Sequence, residues 1–134
     1  MKLQEQYVRY STTKSEEKLS KRFGLYWDIK MQDWDLEVSD YGRIDDFLKI
    51  YQVELDNDND KFSLMALIVS SFDGGILNNE DIKPNWDICK TILEKECYLH
   101  YSTIVYWCQF EKENVFDVTP LMREVWQNVK IRFQ

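Results

Sequence analysis

The order of apolar and polar positions divides the chain into segments of different period. Thr13 or Ser15 opens a polar stretch with Glu16 and Glu17 near its start, Lys21 and Arg22 near its end, and Gly24 just beyond. A hydroxyl cap, early acids, late bases and a trailing glycine mark the two ends of a helix. From Leu25 to Val38 two periods compete, because Trp27, Met31 and Trp34 suit a helix while Trp34, Leu36 and Val38 alternate as in a strand. After Asp40, a candidate cap, Ile44, Phe47, Leu48 and Tyr51 recur at helical spacing with charges between them. The polar run Asp56 to Asp60 reads as a loop, with Asp60 or Ser63 as the next cap. Phe62 to Phe72 is apolar at nearly every position except the serines, and its Leu, Met and Ala content predicts a buried helix ended by Gly74 and Gly75.

A loop over Asn78 to Pro84 precedes a helix capped by Asn85, with Trp86, Cys89, Ile92 and Leu93 on one stripe. Thr103 to Phe110 is rich in β-branched and aromatic residues and is followed by the polar connector Glu111 to Asn114, then Val115, Phe116 and Val118. That pattern predicts a β-hairpin. Thr119 caps a last helix with Pro120 at its first position and Leu121, Met122, Val125, Trp126 and Val129 on its apolar face. The sum is an α+β fold: one domain over residues 1 to 134, with about four to five helices on a small antiparallel sheet, closing in a hairpin and a terminal helix.

Composition supports a packed domain without staples. In 134 residues the hydrophobic fraction is 44% and the charged fraction 31%, with only four glycines and two prolines, and a chain of this size buries enough apolar surface to fold without disulfide or metal. No apolar run approaches the roughly 20 residues of a membrane helix, and the first ten residues, carrying Lys2, Glu5 and Arg9, lack the apolar stretch of a secretory signal. Three cysteines, Cys89, Cys97 and Cys108, are odd in number and irregular in spacing. They predict reduced, packed thiols and a cytoplasmic setting.

The net charge of −7 is unevenly distributed. Residues 1 to 24 carry a balance of +3, residues 25 to 80 one of −9, and the remainder −1. An acidic middle repels nucleic acid and anionic lipid and attracts a basic protein partner, although such charge also serves solubility alone.

The search for chemistry is largely negative. Gly24, Gly42, Gly74 and Gly75 match no phosphate-binding loop. Asp56, Asp58 and Asp60 have the spacing of the first calcium ligands of an EF-hand, but Lys61 stands at the sixth position and Leu67 at the twelfth. His100 is the only histidine. It lies near Cys97, Cys89 and Cys108 without the paired spacings of a zinc site, and as a nucleophile and base Cys97 and His100 lack a nameable orienting group. No cofactor, metal or catalytic residue is assigned. Acidic pairs such as Asp33 and Asp35, or Asp45 and Asp46, belong by default to a solvated face.

One constellation combines aromatic rings with acids: Trp27, Asp28, Asp33, Trp34, Asp35, Glu37, Asp40 and Tyr41, with Tyr26 beside them. Tryptophan and tyrosine are favoured at interface hot spots, and surrounding acids select a basic partner; the competing assignment makes Trp27 and Trp34 core residues. Tyr101, Tyr106, Trp107 and Phe110 are assigned to the core of the hairpin. Through this stretch, and through Tyr106-Trp107 followed by Val118-Thr119-Pro120-Leu121-Met122-Arg123-Glu124, the chain resembles small bacterial immunity proteins of polymorphic toxin systems. The resemblance implies a single domain that binds and occludes a toxin made by the same cell, with acids standing in for substrate phosphates where that toxin is a nuclease. Two other classes stand beside it: an unfamiliar small-molecule enzyme using Cys97, His100 or a carboxylate pair, and a self-associating scaffold. The pattern sets no oligomeric state.

Overall fold

The computed structural model describes residues 2–113 and 115–134; Asn114, at the end of the expected hairpin connector, lies outside them. Every regular element among the described residues is helical: α1 (Thr13–Phe23), α2 (Trp34–Glu37), α3 (Ile44–Val53), α4 (Asp58–Leu77), α5 (Lys83–Lys95), α6 (Tyr101–Cys108) and α7 (Thr119–Val129), with 3₁₀ turns at Glu5–Tyr7, Tyr41–Arg43 and Lys130–Phe133. The α+β expectation is therefore corrected. No strand forms among the described residues, and neither the antiparallel sheet nor the C-terminal hairpin exists there.

The physical reason is visible in α6. Its β-branched and aromatic residues suit a strand by composition, but Tyr101, Ile104 and Cys108 follow each other at three and four residues and are all buried, while Tyr106 faces out. Helical burial overrides a weak strand preference. The α7 side chain of Arg123 then closes α6, its Nε donating to the Cys108 carbonyl at 2.8 Å and its Nη2 to the Gln109 carbonyl at 3.0 Å. Beyond it, Val118 is buried in an irregular approach to α7, its amide donating to Asp73 Oδ1 at 2.9 Å.

The starts of α1 and α4 obey local rules with small displacements, whereas the expected caps Asn85 and Thr119 lie inside α5 and α7, which begin without a side-chain cap. Thr12, one residue before the expected cap, accepts from the Ser15 amide at 3.1 Å, and Gly24 ends α1 with φ of 67°. Asn57 caps α4 by accepting from the Asp60 amide at 2.9 Å, which places Asp60 inside the first turn. Gly74 and Gly75 do not end α4, which continues to Leu77. Gly75 is small for a packing reason: a Cβ there would lie 2.6 Å from the Tyr41 ring.

Helix α4 is the axis of the core. Leu64, Met65, Leu67, Ile68, Val69 and Phe72 are all fully enclosed, and α1, α2 and α3 each pack on it, while α6 and α5 pack on α7. The single turn of α2 is held down by Trp34, which is 1% exposed and whose Nε1 donates to Ser20 Oγ of α1 at 2.8 Å. Replacing Trp34 by alanine removes both a buried ring and its hydrogen bond. Urea denaturation is expected to show a loss of about 3–5 kcal/mol, and Trp34→Phe a smaller one.

Candidate functional site

The N-terminal segment lies across α6. Gln4 donates its amide to the Tyr101 hydroxyl at 2.9 Å and its side chain to the Phe133 carbonyl at 2.6 Å, Arg9 donates its amide to Ser102 Oγ at 2.9 Å, and Ser11 shares a 2.7 Å hydroxyl contact with Ser63. Between this segment and α6 runs an open groove. Its wide part, about 720 Å³, is lined by Leu3, Val8, Val105, Phe110 and Phe116. Its narrow part, about 240 Å³, is lined by Phe62, Trp107, Asp33, Asp35 and Leu36. Arg9, Tyr10, Ser102 and Tyr106 line both, so the two hollows adjoin. The rings are accessible: Tyr10 is 81% exposed and Tyr106 50%, and Tyr106 stacks on Phe116 with centroids 6.0 Å apart.

The acidic end has distinctive electrostatics. Asp35 is half-buried, and loss of hydration pushes its carboxyl up to about 6, helped by the neighbouring charges of Asp33 and Glu16 and opposed by amides at the start of α2. The Tyr106 phenol is also raised, first by burial and then by the facing carboxylates of Asp35, Asp33 and Asp73. Arg9, which lines this end, makes its polar contacts elsewhere: its Nη1 donates to Asn59 Oδ1 at 2.9 Å and its Nη2 lies 4.0 Å from Asp58.

Ion pairing decides where the negative charge of the molecule remains. The basic first quarter folds back on the acids that begin α4 and end α3: Lys18 meets Asp60 at 2.6 Å and Arg22 grips Glu54 through two bonds of 2.7 and 3.0 Å. By contrast Asp28, Asp33, Asp35, Glu37, Asp40 and Asp45 form no ion pair among the described residues. Asp28, Asp33, Asp35, Glu37 and Asp40, all between α1 and α3, thus keep their charge unneutralised by an ion pair among the described residues.

The eight residues of the aromatic and acidic stretch do not form one surface. Asp33 and Asp35 reach the groove. Trp34, between them, is a core residue and is removed from the list of partner contacts, because its indole is enclosed and hydrogen-bonded. Asp40 caps the turn that follows it, accepting from the Gly42 amide at 2.9 Å, and Tyr41 packs on Gly75 and Phe72; both line a separate hollow at the far end of α4. Glu37 is exposed and Trp27 half-buried, while Asp28 Oδ1 accepts from the Lys30 amide at 2.8 Å. Tyr26 and Ile29 of the same loop are 70% and 68% exposed. Sequence reasoning missed Tyr10 and Arg9, and it placed Tyr106 in the core. The helical period of α6, which puts Tyr106 opposite Ile104 and Cys108, is the signal that locates it.

The other chemically suggestive group is enclosed. His100 is wholly buried, and Cys97 is equally buried but faces Arg132, whose Nη1 approaches its Sγ at 3.4 Å. Tyr51 donates its hydroxyl proton to Glu96, and Lys61 Nζ lies 3.3 Å from the other Glu96 oxygen. Since that hydroxyl has one proton, His100 Nε2 donates to the Tyr51 oxygen at 2.7 Å, and Nδ1 is a buried acceptor with no partner among the described residues. The arrangement fastens α3, α4 and the start of α6 together, and none of the hollows described reaches the imidazole.

Comparison with protein-family models, curated proteins and solved structures finds no match, so function is read from the site's residues alone. No helix among the described residues is long and apolar enough to cross a membrane.

Two titrations bracket the stability of the fold. Burial, with Lys61 and Arg9 nearby, lowers His100 to about 3. The unfolded chain takes up that proton near its ordinary value, so the unfolded state binds more protons between about 6.5 and 3, and stability falls as pH falls through that window. Asp35 acts in the opposite sense: the folded state binds more protons between about 3.8 and 6, and the stability this confers is lost as pH rises through 6. Asp35→Asn is expected to raise the urea midpoint at pH 7.5 and to leave it unchanged near pH 3.5. His100→Gln is expected to flatten the acid-side decline, whatever it costs at neutral pH.

Proposed function

We propose that this chain is a non-enzymatic binding protein that uses its acidic end and the aromatic groove beside it to engage and occlude a basic protein. One observation carries the reading: Asp33 and Asp35, which form no ion pair among the described residues, line an open groove with accessible tyrosine rings. Exposed aromatics bury large area at small entropic cost, and unneutralised acids beside them favour a cationic partner and raise its association rate. The same charge opposes nucleic acid and anionic membrane as partners. Buried, unpaired thiols at Cys89, Cys97 and Cys108 support a cytoplasmic setting. Within this reading, the resemblance to immunity proteins makes the partner a toxin whose cationic active site is covered.

The test is retention of proteins from the source cell's lysate at low salt by the wild-type chain and by the Asp33→Asn, Asp35→Asn double variant. A stoichiometric basic protein is expected on the wild type, lost in the variant and displaced by raising salt. Equal retention by both forms would sink the acidic-face reading. A toxic activity of the captured protein, silenced in the complex, would establish the immunity role.

A further inference from the structure

The groove has two chemically different ends, and their order along one channel specifies more than a charge preference. The narrow part places Tyr10, Phe62, Tyr106 and Trp107 around the carboxylates of Asp33 and Asp35, and the wide part is mainly apolar, with Arg9, Gln109, Glu111 and Lys112 also among its lining. We propose that the groove binds an extended segment of the basic partner, with one arginine side chain in the narrow end and neighbouring apolar side chains in the wide part. This rests on the reading of the chain as a binding protein and adds the mode of recognition.

Three features select arginine. The carboxylates form no ion pair among the described residues: Arg9, which lines the same hollow, is engaged by Asn59 and Asp58 instead. Bringing a fixed cation beside Asp35 therefore removes an unfavourable half-buried charge instead of displacing an existing pair. The walls are rings, and a guanidinium is flat: it can stack on tyrosine while its edge donates two parallel hydrogen bonds to a carboxylate, which an ammonium cannot do. The narrow part, at 240 Å³, admits one such side chain and little else, whereas the wide part, at 720 Å³, is of the size that holds several apolar groups. One wall is shaped by Gln109 and Glu111, which turn the backbone with φ of 47° and 66°, and Arg123 holds the Gln109 carbonyl.

The probe is a capped tetrapeptide of arginine, glycine, leucine and phenylalanine, compared by titration calorimetry with the same peptide carrying citrulline, which keeps the shape and loses the charge. The arginine peptide is expected to bind at least about tenfold more tightly. Asp35→Asn should remove most of that advantage without changing the citrulline peptide, and Tyr106→Leu should weaken both. Equal affinity of the two peptides, absence of binding by the arginine peptide at millimolar concentration, or indifference to Asp35→Asn would each overturn the proposal. A lysate partner that still depends on Asp33 and Asp35 while the peptide fails would leave the binding function standing and exclude this mode. Loss of the partner in the double variant together with competition by the arginine peptide would support both.

Discussion

A helix of twenty residues with leucine, methionine, isoleucine, valine and phenylalanine distributed around its circumference has no side that it can present to water, and α4 is such a helix. Its burial governs the rest of the molecule. Helices α1, α2 and α3 cover it directly, and α2, only one turn long, has no independent stability and persists because Trp34 is anchored between α4 and Ser20. The cost of ordering that short turn is offset by burial of the largest side chain available. Even the absence of a side chain is used, at Gly75, where the Tyr41 ring lies against the α4 backbone.

Covering α4 also sorts the charges. To lie along it, α1 must bring its basic residues to the ends of α3 and α4, where Asp60 is drawn down by Lys18, Ser15 and Asn57 against the cost of its burial. These pairs are mostly at the surface and contribute little to stability individually. Their larger effect is subtractive: they neutralise one part of the acidic middle and leave the segment around α2 with its full negative charge. In a chain that is acidic on average, Asp33 and Asp35 are thereby left unpaired beside an aromatic groove.

The sequence displays those parts of the structure that depend on neighbours along the chain. Caps and breakers locate α1 and α7 to within a residue or two, and the stripe of Ile44, Phe47, Leu48 and Tyr51 locates α3, because each is settled by local backbone chemistry or by one face of one helix. Helix α6 was misread as a strand because its composition satisfies both states, and only packing against α7 chooses between them. Trp34 was ambiguous for a related reason, since its ring has the same identity at an interface and in a core. The groove was not legible at all. Its walls come from Leu3 and the stretch Val8 to Ser11, from Asp33, Asp35 and Leu36, from Phe62 and Ala66, and from residues between Ser102 and Lys112 with Phe116, and no local signal connects them. Asp33 and Asp35 were found through charge; Tyr10 and Tyr106 required the tertiary structure.

The N-terminal wall of the groove has a consequence for synthesis. Its anchors are the Tyr101 hydroxyl, the Phe133 carbonyl and Ser102, supplied from the last third of the chain. A ribosome that has released the first hundred residues has therefore exposed both carboxylates and Tyr10, but not the surface against which they are arranged. The groove comes into being only once residues 101 to 133 have been made, so chains that stop short of them carry the acids without the walls that enclose them.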